Sequence, residues 1–430
     1  MSVQGEDGNV FLTDDIIIRE MMEILKSSAV GVKRVHRDLE KRFGKVGDTI
    51  SVEKPFMTKT AEGRTLTKQP MADQKVPFQI TRQRNFGLQF NQRDRTLSIQ
   101  NFRERYLNTG VMQIGNVIEQ SVLAAAVQEA YFAAGTPGTE IDSDLVTDID
   151  GYMTSVGIPE DGMRTGILNV KDGKAIDKEM KGKYNGAMVK QAIERGYMGP
   201  ISEMQIYRSA MMPVHTVGDH GGTPLVNGAS QTSSSLTIDG GTNSTTGFLK
   251  KGDRFTIAGV YEVHPQTKVS TAELQKFVVT ADVDTNGSGQ ATIPISPAIN
   301  DGTLTTTNAA GETVSLEAYQ NVSAAPADNA PITVVGTANT TYRMDAFFHK
   351  NAVTLAMVQK ELPETAPVKA RITDEETGLS LSMTAQYDIN EDEQIYRVDA
   401  LWGVKMLQPE LAFVAYSAAH GISNTEPLLL

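Results

Sequence analysis

One island of sequence limits what this chain can fold into. Between Thr223 and Thr341 it is dense in Thr, Ser, Gly and Asn, with Lys250, Lys251, Arg254, Lys268 and Lys276 its only Lys or Arg residues. Helix signals are scarce there. Short β-branched and aromatic runs, RFTIAGVYEV, KFVVTADV and ATIPI, alternate with turn residues, the pattern of an all-β module. Mixed α/β patterning resumes on both sides. The simplest architecture is α+β: a β module inserted into a discontinuous parent, since insertion is tolerated where two chain ends meet at a surface loop. No fixed-period repeat accompanies it.

The flanks carry clearer element signals. Thr13 to Ser27 reads as an N-terminal helix, with Thr13 as its cap, Asp14 and Asp15 in the first turn favoured by the helix dipole, and Ile17, Met21, Ile24 and Leu25 as an apolar stripe. The segment GDTISVEKPF, after a turn at Gly47-Asp48, reads as a strand. A second strand follows in VPFQITRQRNFGLQF, where Val76, Phe78 and Ile80 alternate. Between them, Met57 to Lys75 is polar and dotted with Lys59, Arg64 and Lys68, so the pair is predicted to form an extended hairpin arm. A loop of that length tends to be functional or to touch a partner. The basic series is either a solvated face or an inter-subunit contact; ordering an arm with no core of its own favours contact, because a neighbouring surface must offset the lost entropy.

From Ser98 to Ala134 the pattern is helical. Val111, Ile114, Ile118, Val122 and Ala125 recur at helical spacing, and Gly135 and Pro137 stop the run. Gly110 to Ala134 alone would reach roughly 37 Å. Residues 140 to 221 read as mixed α/β, with a short helix over Ala187 to Arg195 and a strand at Met204 to Tyr207. After the β island, MDAFFHKNAVTLAMVQ is predicted helical, and LSLSMTAQYDI, QIYRVDALWGVKML and ELAFVAYSA are predicted strands.

Composition excludes several functions. With no cysteine, disulfides, thiolate metal sites and a cysteine nucleophile are ruled out. A net charge of -12 disfavours a protein whose main task is to grip nucleic acid, because such binding depends on Lys and Arg displacing phosphate counterions. The acidic start, MSVQGEDGNVFLTDD, lacks the pattern of an export signal. The apolar stretch from Leu411 to Ala419 is too short to span a membrane.

No chemical motif survives close reading. Asp282-Val-Asp284-Thr-Asn286-Gly287 resembles the start of a calcium loop, but its twelfth position is Ile293 where a bidentate Glu is needed. Asn286-Gly287 between two strand signals reads instead as a hairpin turn. Asp142, Asp144, Asp148 and Asp150 fail the same spacing and are expected in a solvated loop. His215, Asp219 and His220, among Gly218, Gly221 and Gly222, read as a connector rather than a metal site. His36, His264, His349 and His420 reveal no triad. There is no GxxxxGK, GxGxxG or GxSxG. Catalytic residues and cofactors are expected to be none.

Three segments carry a resemblance. GPISEMQIYRSAMMPVHTVG before the island, LKKGDRFTIAGVYEV within it, and FFHKNAVTLA with YRVDALWGVKMLQPELA after it are similar to the coat proteins of short-tailed phages of the P-twenty-two type, the gene product five family. The resemblance implies the tailed-phage major capsid (Johnson) fold, with a long spine helix, an extended loop arm and an inserted all-β barrel. Residues 1–46 would be the N-terminal arm, 47–90 the extended loop arm, and 91–139 the peripheral domain with its spine helix. Residues 140–222 would open the axial domain, 223–341 form the inserted barrel, and 342–430 complete the axial domain and the peripheral strands. In SSSLTIDGGTNSTTGFLKKGD the chain lacks the long charged excursion of some members, so salt bridges between inserted domains are not implied at that site.

The implied function is a self-assembling icosahedral shell of hexamers and pentamers in the virion, assembled in the host cytoplasm. It would enclose double-stranded DNA without sequence-specific binding and without a membrane. The implied partners are other copies of the chain, a portal and a scaffolding protein. Lys59, Arg64 and Lys68 are then the candidate inter-subunit contacts. Asp14 and Asp15 are the candidate scaffold contacts, unless they serve only the helix dipole. A surface or extracellular β-module binding protein, adhesin-like and with or without calcium, is the alternative, and a hydrolase a third.

Overall fold

The computed structural model describes residues 18, 21–23, 25, 30–37, 39, 49–55, 57–58, 64, 74–91, 108–183, 197–202, 204–307, 311, 313–364, 368–374, 378–391 and 393–420. Its strands in chain order are β1 (Thr49–Glu53), β2 (Lys75–Gln79), β3 (Arg82–Asn91), β4 (Phe132–Ala134), β5 (Arg164–Asn169), β6 (Tyr197–Ile201), β7 (Met204–Ser209), β8 (Val214–Thr216), β9 (Gly222–Val226), β10 (Ser235–Gly241) and β11 (Arg254–Val263). They continue as β12 (Ser270–Val279), β13 (Ala291–Ser296), β14 (Thr305–Thr307), β15 (Thr313–Ser315), β16 (Ile332–Val334), β17 (Thr341–His349), β18 (Val353–Met357), β19 (Val368–Thr373), β20 (Ser380–Asp388), β21 (Glu393–Met406) and β22 (Ala412–Ala419). Among the described residues the continuous α-helices are α1 (Asn108–Glu129), α2 (Ser143–Ser155) and α3 (Val170–Lys183). Two compact units divide the chain. One combines Met1–Ser51, Pro77–Val122 and Thr354–Lys405; the other combines Val52–Val76, Leu123–Val353 and Met406–Leu430.

The first unit is organised around β21. Its N-terminal part is flanked by β3, paired from Glu393↔Asn91 to Trp402↔Arg82, and by β20, paired from Ser382↔Asp399 to Asp388↔Glu393. Tyr396, Val398, Ala400 and Trp402 are buried at every second position, as a strand with one covered face requires. Trp402 Nε1 donates to Ser121 Oγ at 3.0 Å, and Ser121 Oγ donates to the Ile118 carbonyl at 2.7 Å. Val111, Ile114, Ile118 and Val122 are buried at the spacing read from the sequence. On the next face Glu119 is also buried, and its carboxylate accepts the N–H groups of Gly31 (2.8 and 2.9 Å) and Val32 (3.1 Å), satisfying the free donors of a short 3-10 turn. Ile18, Met21, Met22 and Leu25, all helical and buried, mark the expected N-terminal helix.

The second unit holds a mixed sheet in the order β4-β22-β17-β5-β7-β6, with β8 also on β17. β4 runs parallel to β22 and β5 parallel to β7. Phe132, Ile149, Met153, Ile176, Phe347 and Phe413 form much of its core, and Val278 of β12 joins the same cluster. Phe132 stacks on Phe413 with ring centroids 4.6 Å apart.

A second sheet in this unit runs β16-β11-β12-β13-β10-β9. Its outer strands meet: Val226 N donates to the Ala330 carbonyl (3.0 Å), Asn329 N donates to the Val226 carbonyl (2.9 Å), and Leu225 bridges Pro331. Backbone hydrogen bonds thus run the whole way round. Inside lie Leu236, Ile238, Phe255, Ile257, Phe277 and Ile293, all withdrawn from solvent.

Three expectations need correction. MDAFFHKNAVTLAMVQ is not a helix but β17 and β18, joined by a turn in which Ala352 N bonds the His349 carbonyl. Nearly every residue of both strands is buried, and a strand covered on both faces shows an unbroken apolar run that periodicity cannot tell from a buried helix. The helix predicted as far as Ala134 ends at Glu129, its described part being 22 residues or about 33 Å, and Phe132–Ala134 is a strand. The acidic run is no solvated loop: Asp142 caps α2 by accepting the Leu145 N–H at 2.8 Å, and the other three acids lie on that helix. Residues 98–107 and the expected helix at 187–195 lie outside the described residues.

Candidate functional site: a buried charge hub before β11

The segment Lys250-Lys251-Gly252-Asp253-Arg254 turns the chain into β11, and its two charged residues at the strand start, Asp253 and Arg254, are wholly buried. Such burial is tolerable only if each charge is met by oriented partners. Asp253 Oδ2 accepts the N–H groups of Lys250 (2.7 Å) and Gly218 (3.0 Å), while Oδ1 accepts from His215 Nε2 at 2.7 Å. One carboxylate therefore fixes its own turn and the loop that enters the β strands. Gly252 has φ +96°, and a Cβ there would come within 3.3 Å of His215 Cε1. The turn needs glycine for both reasons.

Arg254 points the other way. Its Nε donates to the Ala130 carbonyl at 2.9 Å and one terminal nitrogen donates to the same oxygen at 2.6 Å and to the Val127 carbonyl. The other terminal nitrogen reaches the Gly252 carbonyl at 2.9 Å and the Tyr416 hydroxyl at 3.4 Å, with the guanidinium 5.8 Å from the Tyr416 ring centre. Val127 and Ala130 sit at the C-terminal end of α1, where carbonyls lack intrahelical donors and the dipole favours a cation. The fork of Arg supplies both the donors and the charge. These bonds cap the end of α1.

Two further charged contacts surround α2. Tyr152 donates its hydroxyl to Glu262 Oε2 of β11, and Lys276 of β12 lies 6.0 Å from the Tyr152 ring centre. Burial raises the Glu262 carboxyl and the Tyr152 hydroxyl above their ordinary values and lowers the Lys276 ammonium. At the other end, fully buried Arg164 pairs with Asp150 at 2.7 Å and donates to Thr154 Oγ1 (2.9 Å) and to the Pro159 and Ile158 carbonyls. All these contacts hold elements in place.

The motif residues resolve in the same sense. Asp282 Oδ1 accepts the Lys251 N–H at 2.8 Å and Asp284 Oδ1 the Gly247 N–H at 2.6 Å, so the calcium-like segment braces the turn before β11. His215 is not part of a connector but of β8, and its ring serves Asp253; His220 bonds the Gly336 carbonyl at 3.2 Å. Among the described residues no group of three or more His, Asp or Glu is arranged to hold a metal ion. Of the candidate contact residues Arg64 is exposed, while Lys59, Lys68, Asp14 and Asp15 lie outside the described residues. Sequence reading missed Arg254, Asp253 and Arg164; the signal available for the first two was an acid-base pair opening an apolar strand.

The family model described as P22 coat protein, gene protein 5, matches residues 9–416. The chain belongs to the P22 coat protein family. It is a structural major capsid protein that forms the phage head. No curated protein sequence matches the coat protein. Among solved structures it is similar to one from Mycobacterium phage Che8, at 11% identity and TM-score 0.45 with 90% of each chain covered. It is similar also to the capsid of Ralstonia phage GP4, at 7% identity and TM-score 0.45 over 92% of this chain and 88% of that one. The capsid of an empty GTA particle follows at 8% identity and TM-score 0.43, over 97% and 93%. In the coat protein, the Lys-Gly-Asp turn that carried the sequence resemblance is the hub just described.

Proposed function

We propose that the coat protein builds an icosahedral head through a Johnson fold in which α1 is the spine helix, residues 47–90 the extended loop arm and Thr223–Thr341 an inserted barrel. Residues 1–46 and 91–139 then serve as the N-terminal arm and the peripheral domain. Residues 140–222 and 342–430 supply the axial domain and the remaining peripheral strands. The observation that carries this reading is the extent of the family match, which runs through segments of both compact units, the β strands of Thr223–Thr341 included. The product is a shell of hexamers and pentamers enclosing double-stranded DNA, assembled in the host cytoplasm with a scaffolding protein and a portal. The chain does no catalysis in this role.

Neighbour contact is assigned to the arm, where Arg64 is exposed and Lys75 pairs with Glu53 at 3.5 Å in full view of solvent. Reversing charge at Lys59, Arg64 and Lys68 together should prevent closed shells in electron micrographs. The melting temperature of the subunit should stay nearly unchanged, because exposed ion pairs add little to a fold. Normal particles from the triple variant would refute the assignment. Asp14 and Asp15 are assigned to scaffold recruitment. Asp14→Asn with Asp15→Asn keeps some capping ability and removes charge, so particles should lose scaffolding protein at low salt; wild-type incorporation across a salt series would leave these acids only their helix role.

A further inference from the structure

Among the described residues of the second unit, one buried carboxyl group has an oxygen without a hydrogen-bond partner. Asp345 of β17 sits opposite Ala415 of β22 and is wholly buried. Its Oδ1 accepts the N–H of Asn169, the residue before α3. Its Oδ2 has no hydrogen-bond partner. Its carboxylate neighbour is Asp172, within side-chain hydrogen-bonding reach, in the first turn of α3 and equally buried. Asp172 Oδ1 accepts from Arg343 at 2.9 Å and from Ser417 Oγ of β22 at 2.6 Å, and its Oδ2 accepts from Arg343 Nε at 3.3 Å. Arg343 also lies 3.8 Å from the half-exposed Glu140.

The charges do not balance: two buried carboxyl groups share a single guanidinium, and that guanidinium is committed to Asp172. Two carboxylates in contact in a dry site cannot both stay ionised, and the one without the cation takes up a proton. We propose that Asp345 is a proton-binding site, carried in the folded coat protein as a neutral acid whose O–H donates to Asp172, so that losing this proton to solvent loosens the joint of β17, β22 and α3. A proton suits the site better than a metal ion. The guanidinium repels a second cation, and among the described residues no third acid or histidine completes a ligand set. Burial first, and then the charge of Asp172, hold the Asp345 carboxyl well above its ordinary range, against the weaker pull of Asn169 N–H and Arg343.

The sign follows by linkage. A carboxyl raised in the folded state gives its full stabilisation below its unfolded pKa, about 3.9, and loses it progressively as pH rises to the folded value. Over that window the unfolding constant should grow roughly tenfold per pH unit from this group alone. Asp345→Asn mimics the protonated acid, since its amide can donate to Asp172 while its oxygen still accepts from Asn169. The test is urea unfolding of full-length wild type and D345N from mildly acid to mildly alkaline pH. It is joined to infrared spectra with the aspartate carboxyls isotopically labelled. The ratio of wild-type to variant unfolding constants should climb with pH and then level off, and wild type at neutral pH should show a protonated aspartate band that D345N lacks. A flat ratio, or no such band in wild type, overturns the proposal. Should D345N fail to fold, the labelled wild-type band and its loss at alkaline pH decide alone.

Discussion

Arg254→Ala should lower the unfolding free energy of the coat protein by roughly 3–5 kcal/mol, the range seen when one partner of a buried charged network is removed. The expected size comes from the number of groups abandoned. The Ala130, Val127 and Gly252 carbonyls would all lose a charged donor in a buried setting. Urea denaturation of the purified subunit measures the loss. Arg254→Lys should recover only a minor part, because a single ammonium cannot span carbonyls that the planar fork reaches together. A cost below about 1 kcal/mol for the Ala variant would mean that the hub is ornamental and that the end of α1 is held by other contacts.

The second large effect belongs to Arg164. Substituting Met keeps the aliphatic bulk but leaves Asp150 buried without its cation and strips donors from two carbonyls, for an expected loss of roughly 3–5 kcal/mol. Asp150→Asn should cost less, since a neutral amide can still accept from the guanidinium. The telling comparison is the double variant Arg164→Met with Asp150→Leu. If the single change is costly because it strands a charge, removing that charge as well should restore part of the stability. A double variant as unstable as the sum of the singles would place the cost in the lost carbonyl contacts instead.

How much of this was readable beforehand depended on range along the chain. The strand signals RFTIAGVYEV, KFVVTADV and ATIPI became β11, β12 and β13, because alternation is local and a half-covered sheet obeys it. The helical stripe from Val111 to Val122 was legible for the same reason. MDAFFHKNAVTLAMVQ was misread because a central strand buried on both faces erases alternation. The acidic run around Asp148 was misread because Arg164, the partner of its buried member Asp150, lies further along the chain. The hub was beyond reach altogether: Arg254 meets Ala130 across 124 positions, and nothing local tells an arginine whether it will face water or a helix end. The Lys-Gly-Asp turn could be singled out by resemblance, while the work of its carboxylate is set by His215 and Gly218, 38 and 35 positions away.

The joining of β9 to β16 has a consequence for life at high concentration. A sheet with free outer strands offers rows of unpaired N–H and C=O groups on which another chain can build. A coat protein that assembles into a shell must meet its own copies repeatedly, through chosen surfaces and no others. With Val226, Ala330 and Asn329 closing the last gap, these strands present no ladder for a stray copy to extend. Their contribution to a faithful head is partly abstention: a surface dense in Thr, Ser and Asn that can be crowded without sticking.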